Sequence, residues 1–376
     1  MSSESKTVLK NIFPEIDSST PNSYAYFIGW GIRHYTASLN LVLPDSILIK
    51  DFKKTRELIS PKTKEVIWYQ NTSVPRDKRM FRDVEHDICI IHLDNGTHRK
   101  VHLQTNNYEN GEYVAYDTIE DKSIVFRKEF DFVFNLKASG SDWRILSKLI
   151  KSPAIGNIAQ CHEGIHSGNV REKLFIKGNS GRPDLKPMFY GGRAGDIIRP
   201  YVSYMNNWYV DYRESIIDDS KKEYASLRDE RLFYLPKIYI TRTGNPFKAF
   251  YDRDSYASNN FFSLQMKDYS RNNEDELLFL LPFINSKICQ YFIRTFAAPR
   301  LGNAFIETKI IHLLKFPVPN CSIEQKKEIV KMVSDIVKAK KIDINSDISD
   351  LEKTLYNTIY NLYNLTAEEI KLIEQA

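Results

Sequence analysis

The pattern of apolar residues changes twice along this chain, and these changes constrain its fold more than any other feature. Up to residue 135, short apolar runs alternate with helical patterns. From 155 to 320 the strand-like runs are shorter and are interrupted by Gly, Asn and Pro, whereas 322–376 is helical throughout. A chain of 376 residues is long enough for several hydrophobic cores. We therefore predict three domains, over residues 1–135, 136–320 and 321–376.

The first domain is predicted to be α/β. Helical patterns cover 24–35 and 45–59, and they alternate with three apolar runs at 39–43, 65–70 and 87–93. This alternation is typical of a parallel sheet that is covered on both faces. The GWG triplet at 29–31 lies inside a helical pattern instead of following a strand, so it is not a phosphate-binding turn. With so few core strands, we expect an incomplete sheet whose open edge is covered by a partner.

The second domain is predicted to be α+β, and the third is predicted to be a helical tail. A charged amphipathic helix at 136–152 opens the second domain, and a helix at 274–296 follows its short strands. The long segments between these strands are predicted loops, and long ordered loops often carry function. In the tail, apolar residues recur at helical spacing over 323–341 and 348–363, and a last helix follows Thr366.

Residues 162–166 read HEGIH, which matches the zinc-protease pattern H-E-x-x-H. That chemistry needs a helix, because His162 and His166 must lie one turn apart to share a zinc ion while Glu163 acts as base. Gly164 and the turn-like Ser-Gly-Asn at 167–169 disfavour a helix. We therefore predict a strand at 157–161 that leads into a Gly-rich turn, with no metal site. A zinc peptidase is kept as an alternative.

Composition excludes some classes of protein. The N-terminal segment has no apolar signal core, and no run approaches the roughly 20 apolar residues of a membrane span. The four cysteines are far apart, which argues against a zinc ribbon and against a disulfide framework. The net charge of +5 is compatible with binding to nucleic acid. We expect a soluble, cytoplasmic protein with no membrane partner.

Several stretches of the second and third domains occur in the order found in one known family. They are GIHSGNVREKLFI (164–176), GGRAGDIIRPY (191–201), LPKIYITRTG (235–244), KAFYDRDSYASNNFFSL (248–264), LLPFINSKICQYF (280–292), KFPVPN (315–320) and LYNTIYNLYNLTAEEI (355–370). Together they resemble the C-terminal specificity region of adenine-N6 DNA methyltransferases of the TaqI and Eco57I type, from type II restriction-modification systems. The resemblance implies a target-recognition domain for double-stranded DNA. It also places HEGIH where the family has a turn.

The first domain resembles only the later half of the same family, in residues 24–48 and 78–93. The chain contains neither D-P-x-x-G-x-G, which holds S-adenosylmethionine, nor [DNS]-P-P-[YFW], which grips the flipped adenine. Asn245-Pro246-Phe247 and Ser60-Pro61-Lys62 lack the second proline. Met1 stands where the missing half would end. The resemblance therefore implies a partial Rossmann-like methyltransferase sheet, with no catalytic or cofactor-binding residues in this chain.

The resemblance implies a split enzyme. This chain would be the specificity half of a heterodimer and inactive alone, while a catalytic methyltransferase chain with the N-P-P-Y motif would bind S-adenosylmethionine. Other interpretations stay open: a stand-alone DNA-binding protein, a scaffold or inhibitor left by a decayed gene, or a fragment of a longer enzyme. A nuclease is another, because Pro44-Asp45 with Asp51-Phe52-Lys53 or Glu120-Asp121-Lys122 loosely echoes PD-(D/E)-x-K.

DNA recognition needs cations for phosphates and amide or forked side chains for base edges. Many such groups fall on predicted turns between 162 and 303, and we expect the Tyr201 ring to pack against sugars or bases. We expect Arg193→Ala and Arg242→Ala to weaken DNA binding. The complete set of predicted DNA-contacting residues is His166, Ser167, Asn169, Arg171, Lys173, Arg193, Arg199, Tyr201, Lys237, Arg242, Arg253, Asn259, Asn260 and Arg300.

Overall fold

The structure is a computed structural model that describes residues 3–16, 22–49, 52–134, 136, 138, 140–178, 181–244, 246–268, 274–297 and 306–375. Internal contacts divide the chain into two compact units. The first unit comprises Met1–Arg144 and Thr295–Asn303, and the second comprises Ile145–Arg294 and Ala304–Ala376. The predicted helical tail therefore belongs to the same unit as the predicted recognition domain.

The first unit is built around a five-stranded sheet. Its strands are β1 (Ser38–Pro44), β2 (Thr63–Tyr69), β3 (Ile88–Asp94), β4 (Lys100–Glu109) and β5 (Glu112–Asp121). Its helices are α1 (Ser3–Ile12), α2 (Ser23–His34), α3 (Ser46–Ile49), α4 (Lys53–Ile59), α5 (Lys122–Val125) and the first half of α6 (Gly140–Leu149). Strands β1, β2 and β3 lie where the apolar runs predicted them. The helix predicted over 45–59 is divided into α3 and α4.

The predicted parallel sheet is wrong. The strand order is β1-β3-β2-β4-β5, and β2 with β4 is the one parallel pair among these strands. The connections explain this result. Only a 3-10 turn at Arg76–Lys78 lies between β2 and β3, so no crossover helix returns the chain in the same direction. Asn110 and Gly111 join β4 to β5 with positive φ angles of 50° and 96°, which is the geometry of a tight antiparallel hairpin.

The sheet buries one face more completely than the other. The row formed by Leu41, Ile91, Val66 and Leu103 is buried, whereas Val42 in the neighbouring row is 56% exposed. The predicted cover on both faces is therefore not present within the described residues. Strand β1 ends the sheet on one side in the described part of the chain, as the predicted open edge requires.

The loosely nuclease-like residues do not come together. Asp45 follows β1 and Lys122 follows β5, and these strands lie at opposite edges of the sheet. Four strand spacings of about 4.8 Å separate them, or roughly 19 Å. The alternative match to the nuclease motif uses Asp51-Phe52-Lys53, and Asp51 lies outside the described residues.

The second unit combines short strands with a helical C-terminal region. Its strands are β6 (Ala159–Glu163), β7 (Phe175–Lys177), β8 (Leu185–Phe189), β9 (Trp208–Asp211), β10 (Lys237–Thr241), β11 (Thr243–Gly244), β12 (Ala249–Asp252), β13 (Tyr256–Ala257), β14 (Phe261–Met266) and β15 (Ile306–Glu307). Its helices are α7 (Arg171–Leu174), α8 (Arg231–Tyr234), α9 (Glu274–Asn285), α10 (Lys287–Phe292), α11 (Ile310–Leu314), α12 (Ile323–Ile342), α13 (Ser349–Leu362) and α14 (Ala367–Gln375).

Two four-stranded sheets form the β part of this unit. One has the order β12-β10-β14-β6 and is antiparallel throughout, and the other has the order β13-β8-β9-β7. An aromatic core joins the two sheets, because Phe189 of β8 packs against Tyr239 of β10, Phe250 of β12 and Phe261 of β14. This core fixes the ends of β8, β10 and β14 relative to one another.

The C-terminal helices agree with the sequence pattern. Ser322 and Gln325 form a capping box at the start of α12, and buried Ile329, Val333 and Ile336 recur at helical spacing along it. The Tyr363 hydroxyl donates to the Pro317 carbonyl over 2.6 Å. The predicted helical tail is therefore confirmed. Within the described part of the chain, no helix has both the length and the apolar character needed to cross a membrane.

Candidate nucleic-acid interface

Five of the predicted DNA-contacting residues line one cleft of about 730 Å³ in the second unit. They are Ser167, Arg171, Arg193, Asn259 and Asn260. They come from three separate segments of the chain, which the sheets bring together. The cleft is also lined by residues that the sequence reading did not select, namely Phe175, Tyr190, Gly191, Gly192, Ala194, Ile198, Trp208, Thr241, Thr243 and Phe261.

One wall of the cleft is the turn that follows β8, at residues 190–196. The buried Asp196 carboxylate holds this turn, because one oxygen accepts the backbone N–H groups of Tyr190 at 2.6 Å and Gly191 at 2.7 Å. Gly191 has φ +134°, a conformation that L side chains rarely adopt. The carboxylate and the glycine therefore fix the direction in which the next residues, including Arg193, leave the strand.

The Gly-rich turn at 164–169 contributes another part of the cleft wall, through Ser167. The Ile165 N–H donates to the Ala257 carbonyl, and the Asn259 N–H donates to the Ile165 carbonyl, both over 2.8 Å. A Cβ on Gly164 would lie 2.6 Å from the Ala257 carbonyl oxygen and closer still to that of Ser258. The glycine is therefore needed for the turn to approach the 257–259 segment. This approach places Ser167 and Asn259 in the same cleft.

The HEGIH motif lies on a strand and a turn. Glu163 is the last residue of β6, and its carboxylate is 2.8 Å from the Arg228 guanidinium. His166 Nδ1 accepts the Gly168 N–H over 3.1 Å, whereas burial lowers the pKa of His162. Among the described residues, no three His, Cys, Asp or Glu side chains are grouped as a metal site requires. The predicted strand and Gly-rich turn are confirmed, with the strand two residues later than expected.

Several cations around the β part of this unit are compensated by carboxylates. Lys173 lies 2.6 Å from Glu223, and Arg231 lies 2.6 Å from Asp229. Further pairs join Arg182 to Asp184 and Asp211, Arg213 to the same two carboxylates, and Arg228 to Glu163. Bonding to Arg213 and then to Arg182 lowers the pKa of Asp211, so this carboxylate stays ionised. The carboxylates largely neutralise the cations in these pairs, so these cations attract an external anion only weakly.

Arg171 and Arg193 differ from those cations. Both are exposed, and neither has a carboxylate or hydrogen-bond partner in the described part of the chain. The Arg171 guanidinium lies over the ring of Tyr190, 5.0 Å from its centroid. Arg193 stands on the 3-10 turn Gly192–Ala194. The cleft therefore carries two positive charges that are free to bind an anion or a hydrogen-bond acceptor.

Tyr190 forms the aromatic floor beneath Arg171. Its ring packs edge-on against Trp208 with centroids 4.5 Å apart, and Phe175 lies 5.2 Å away. The Tyr190 side chain is buried, yet its hydroxyl has no hydrogen-bond partner among the described residues. A buried hydroxyl without a partner is uncommon and costly, and a hydrogen bond from water or another molecule would relieve this cost.

Two predicted contact residues are corrected because their side chains are buried. Lys237 has no exposed surface, and its ammonium donates to the carbonyls of Phe233 at 2.7 Å and Arg253 at 2.9 Å. Burial also lowers the pKa of Lys237. Tyr201 is 1% exposed, and its hydroxyl is 2.9 Å from that of Tyr356 on α13. Neither side chain can reach DNA in this structure.

The structure does not bring the other predicted contact residues into the cleft. The Asn169 amide holds the neighbouring loop, because it donates to the Lys222 carbonyl and accepts the Tyr224 N–H. Arg253 lies at the far end of β10 from Thr241, since Asp252 pairs with Lys237. Arg199 lines a different pocket beside α13. His166 and Lys173 are exposed next to the cleft, and Arg300 lies outside the described residues.

Arg242 lies between two residues that line the cleft, Thr241 and Thr243. Its guanidinium is 3.9 Å from the Glu163 carboxylate, so part of its charge is compensated. Tyr190, Trp208 and Thr243 were missed because apolar rings and threonines at strand ends look like ordinary sheet residues. One sequence signal for this site was available. The pair Gly191-Gly192 follows the end of β8 by one residue, and paired glycines at a strand end indicate a turn.

Comparison with known proteins identifies the domain that contains the cleft. Residues 189–318 match the family model of the TaqI-like C-terminal specificity domain. The chain is similar to the type IIL restriction-modification enzyme MmeI in complex with DNA, with TM-score 0.56, 11% identity, and coverage of 100% of this chain and 55% of MmeI. It is also similar to the type IIG restriction endonuclease BpuSI, with TM-score 0.39, 12% identity, and coverage of 95% of this chain and 50% of BpuSI.

The chain thus spans about half the length of these two enzymes. A comparison with curated protein sequences finds no match. The agreement with MmeI shows a shared fold. The family match covers most of the residues that line the cleft, including Arg193, whereas Ser167, Arg171 and Phe175 precede the matched residues. Residues 189–318 of this chain form a TaqI-like C-terminal specificity domain, the fold of a restriction-modification specificity domain.

Proposed function

We propose that this chain recognises a specific sequence in double-stranded DNA through the cleft between residues 164–171, 190–194 and 259–260. It would act as the specificity part of an adenine-N6 DNA methyltransferase or restriction-modification enzyme. The observation that carries this proposal is that two uncompensated arginines, two amides and a serine hydroxyl line one cleft, most of which lies in a TaqI-like specificity domain. These are the side chains that DNA recognition uses for phosphates and base edges.

The charge distribution supports DNA over a small neutral ligand. Arg193 is exposed on a turn and lies at the wall of the cleft, where a phosphate can approach it from solvent. A cation that contacts a DNA phosphate releases a condensed counterion, so the affinity depends on salt concentration. A cation that is already paired with a carboxylate, such as Arg231, contributes little to this effect.

We predict that Arg193→Ala lowers the affinity for duplex DNA by about 3- to 10-fold at moderate salt, and equally for all sequences. The slope of log affinity against log salt concentration should fall by about 1. Fluorescence anisotropy with a labelled duplex at several salt concentrations measures both quantities. Arg231→Ala is the matched control, because this exposed arginine is paired with Asp229. If the two variants bind DNA as wild type does, the DNA surface lies elsewhere.

We further propose that a second chain supplies S-adenosylmethionine binding and catalysis. The chain lacks both sequence motifs for these tasks. The first unit offers a surface for such a partner. Strand β1 is an edge strand within the described residues, and Val42 on it is 56% exposed. On α2, Phe27 is 58% and Trp30 is 50% exposed, and their rings stack with centroids 5.8 Å apart. Exposed apolar groups beside an unpaired strand edge are typical of an interaction surface.

The partner proposal is tested by affinity purification of the tagged full chain from its native cells, with identification of the proteins that accompany it. We expect a stoichiometric chain that carries D-P-x-x-G-x-G and N-P-P-Y, and we expect the pair to methylate adenine.

Trp30→Glu should reduce the recovery of this partner at least tenfold, because a charge would be placed in an apolar interface. Ile119→Glu is the control, since Ile119 is 67% exposed on β5 at the opposite edge of the sheet. Recovery of no such chain would contradict the split-enzyme proposal and favour a stand-alone DNA-binding protein.

A further inference from the structure

The two uncompensated arginines of the cleft are held in different ways. Arg193 extends from a short turn, and no ring or hydrogen bond within the described residues orients its guanidinium. Arg171 begins α7, and its guanidinium carbon lies over the Tyr190 ring, 5.0 Å from the centroid. An arginine held against an aromatic face loses less conformational entropy when its forked donors bind a ligand.

The ring beneath Arg171 is itself fixed on several sides. Its edges contact Trp208 and Phe175, with centroids 4.5 Å and 5.2 Å away. The Tyr190 carbonyl accepts the Ser258 hydroxyl at 2.8 Å and the Asn260 amide at 2.7 Å. Together with the Asp196 carboxylate bound to its N–H, these contacts make Tyr190 a rigid platform. The fold of the cleft therefore fixes the ring that the Arg171 guanidinium contacts.

Other polar groups that line the cleft suit a base edge better than a phosphate alone. The Tyr190 hydroxyl is buried with no partner among the described residues, and Tyr190 lines the cleft. The Asn259 side-chain amide also lines the cleft, and no contact within the described residues satisfies it. Oriented donors and acceptors at fixed positions discriminate between bases, whereas phosphate binding requires only positive charge.

We propose that Arg171 reads a guanine in the DNA target, oriented by the ring of Tyr190, while Arg193 binds the DNA backbone. Guanine presents N7 and O6 as paired acceptors in the major groove, and the forked guanidinium can donate to both. No other base offers two acceptors in this arrangement. This assignment rests on the proposed function of the cleft, and it specifies one base that the cleft recognises.

The test uses the full chain and the duplex sequence that it prefers, identified by selection from random duplexes. Each base pair of that sequence is then replaced in turn, and the affinity of wild type, Arg171→Ala and Arg171→Lys is measured. We expect both variants to lose discrimination at a single G·C pair, with a loss of affinity for the preferred duplex of about 5- to 150-fold. Arg171→Lys keeps the charge but not the fork, so its salt dependence should equal that of wild type.

Arg193→Ala is the comparison, because it should weaken all duplexes alike and leave the preference at every position unchanged. Circular dichroism verifies the fold of each variant. Because Arg171 is exposed, we expect its replacement to leave the fold unchanged. If Arg171→Ala and Arg171→Lys weaken every duplex alike while the sequence preference remains, Arg171 contacts the backbone and the inference is overturned, although the proposed function stands. If wild type shows no sequence preference at all, both the proposed function and the inference fail.

Discussion

Replacement of Lys237 by methionine should destabilise the second unit by roughly 2–4 kcal/mol without a direct effect on DNA binding. The Lys237 side chain is fully buried, and its ammonium donates to the carbonyls of Phe233, Leu235 and Arg253. The Asp252 carboxylate lies 3.3 Å away. Methionine fills a similar volume but leaves these acceptors without their donor, and buried acceptors that lose a charged donor are costly.

The measurement is urea unfolding of the full chain, compared with Lys221→Met as control. Lys221 is 70% exposed and forms only a local pair with Asp218, so its replacement should change stability by less than about 0.5 kcal/mol. DNA affinity, measured on the folded fraction below the transition, should remain that of wild type for both variants. A Lys237→Met protein with wild-type stability and weakened DNA binding would show that Lys237 acts as first predicted from the sequence.

Gly164→Ala should cost roughly 2–3 kcal/mol of stability, because the added methyl group would press against two backbone carbonyl oxygens. The Ala257 oxygen would be 2.6 Å from the new Cβ, and that of Ser258 would be closer. Neither can move easily, since the Ala257 carbonyl accepts the Ile165 N–H and the Ser258 N–H donates to the Phe189 carbonyl. Relief of the clash would shift the wall that carries Ser167, so DNA affinity should fall together with stability.

Gly192→Ala is the matched control for this substitution. A Cβ there meets no atom within 4 Å, and the residue lacks the positive φ angle that its neighbour Gly191 requires. We expect a change in stability below about 0.5 kcal/mol. Thermal or urea unfolding of both variants measures the difference. Equal stability of Gly164→Ala and Gly192→Ala would contradict the close packing of the 164–169 turn against the 257–259 segment.

Strand positions were predictable from the sequence, but strand direction was not. The apolar runs at 39–43, 65–70 and 87–93 located β1, β2 and β3, because burial on one face selects apolar residues. Direction depends on which strands become neighbours, and β3 inserts between β1 and β2. The β4–β5 hairpin was missed because most of β5 is exposed and its residues do not alternate regularly between apolar and polar. The Asn110-Gly111 pair was the available signal, since both residues adopt positive φ in the turn.

The cleft could be predicted only in part. Residues in predicted turns after apolar strands, such as Arg171, Arg193 and Asn259, do line it. Lys237 was misassigned because a lysine that opens a strand resembles an exposed residue. Its ammonium binds the carbonyl of Phe233, four residues earlier, and that of Arg253, next to its strand partner Asp252, and no apolar pattern in the sequence reveals these contacts. Charge compensation is likewise invisible in the sequence, because Glu223 lies fifty residues from Lys173, the cation that it neutralises.

The most direct test of the central claim is selection from a pool of random duplexes by the full chain, purified with any partner that accompanies it. We expect enrichment of one short sequence that contains at least one invariant G·C pair, and loss of that enrichment when Arg171 and Arg193 are both replaced by alanine. Enrichment that survives this double replacement would contradict the assignment of the cleft as the DNA-recognition site. A pool that remains random after selection by wild type would contradict sequence-specific DNA recognition by this chain.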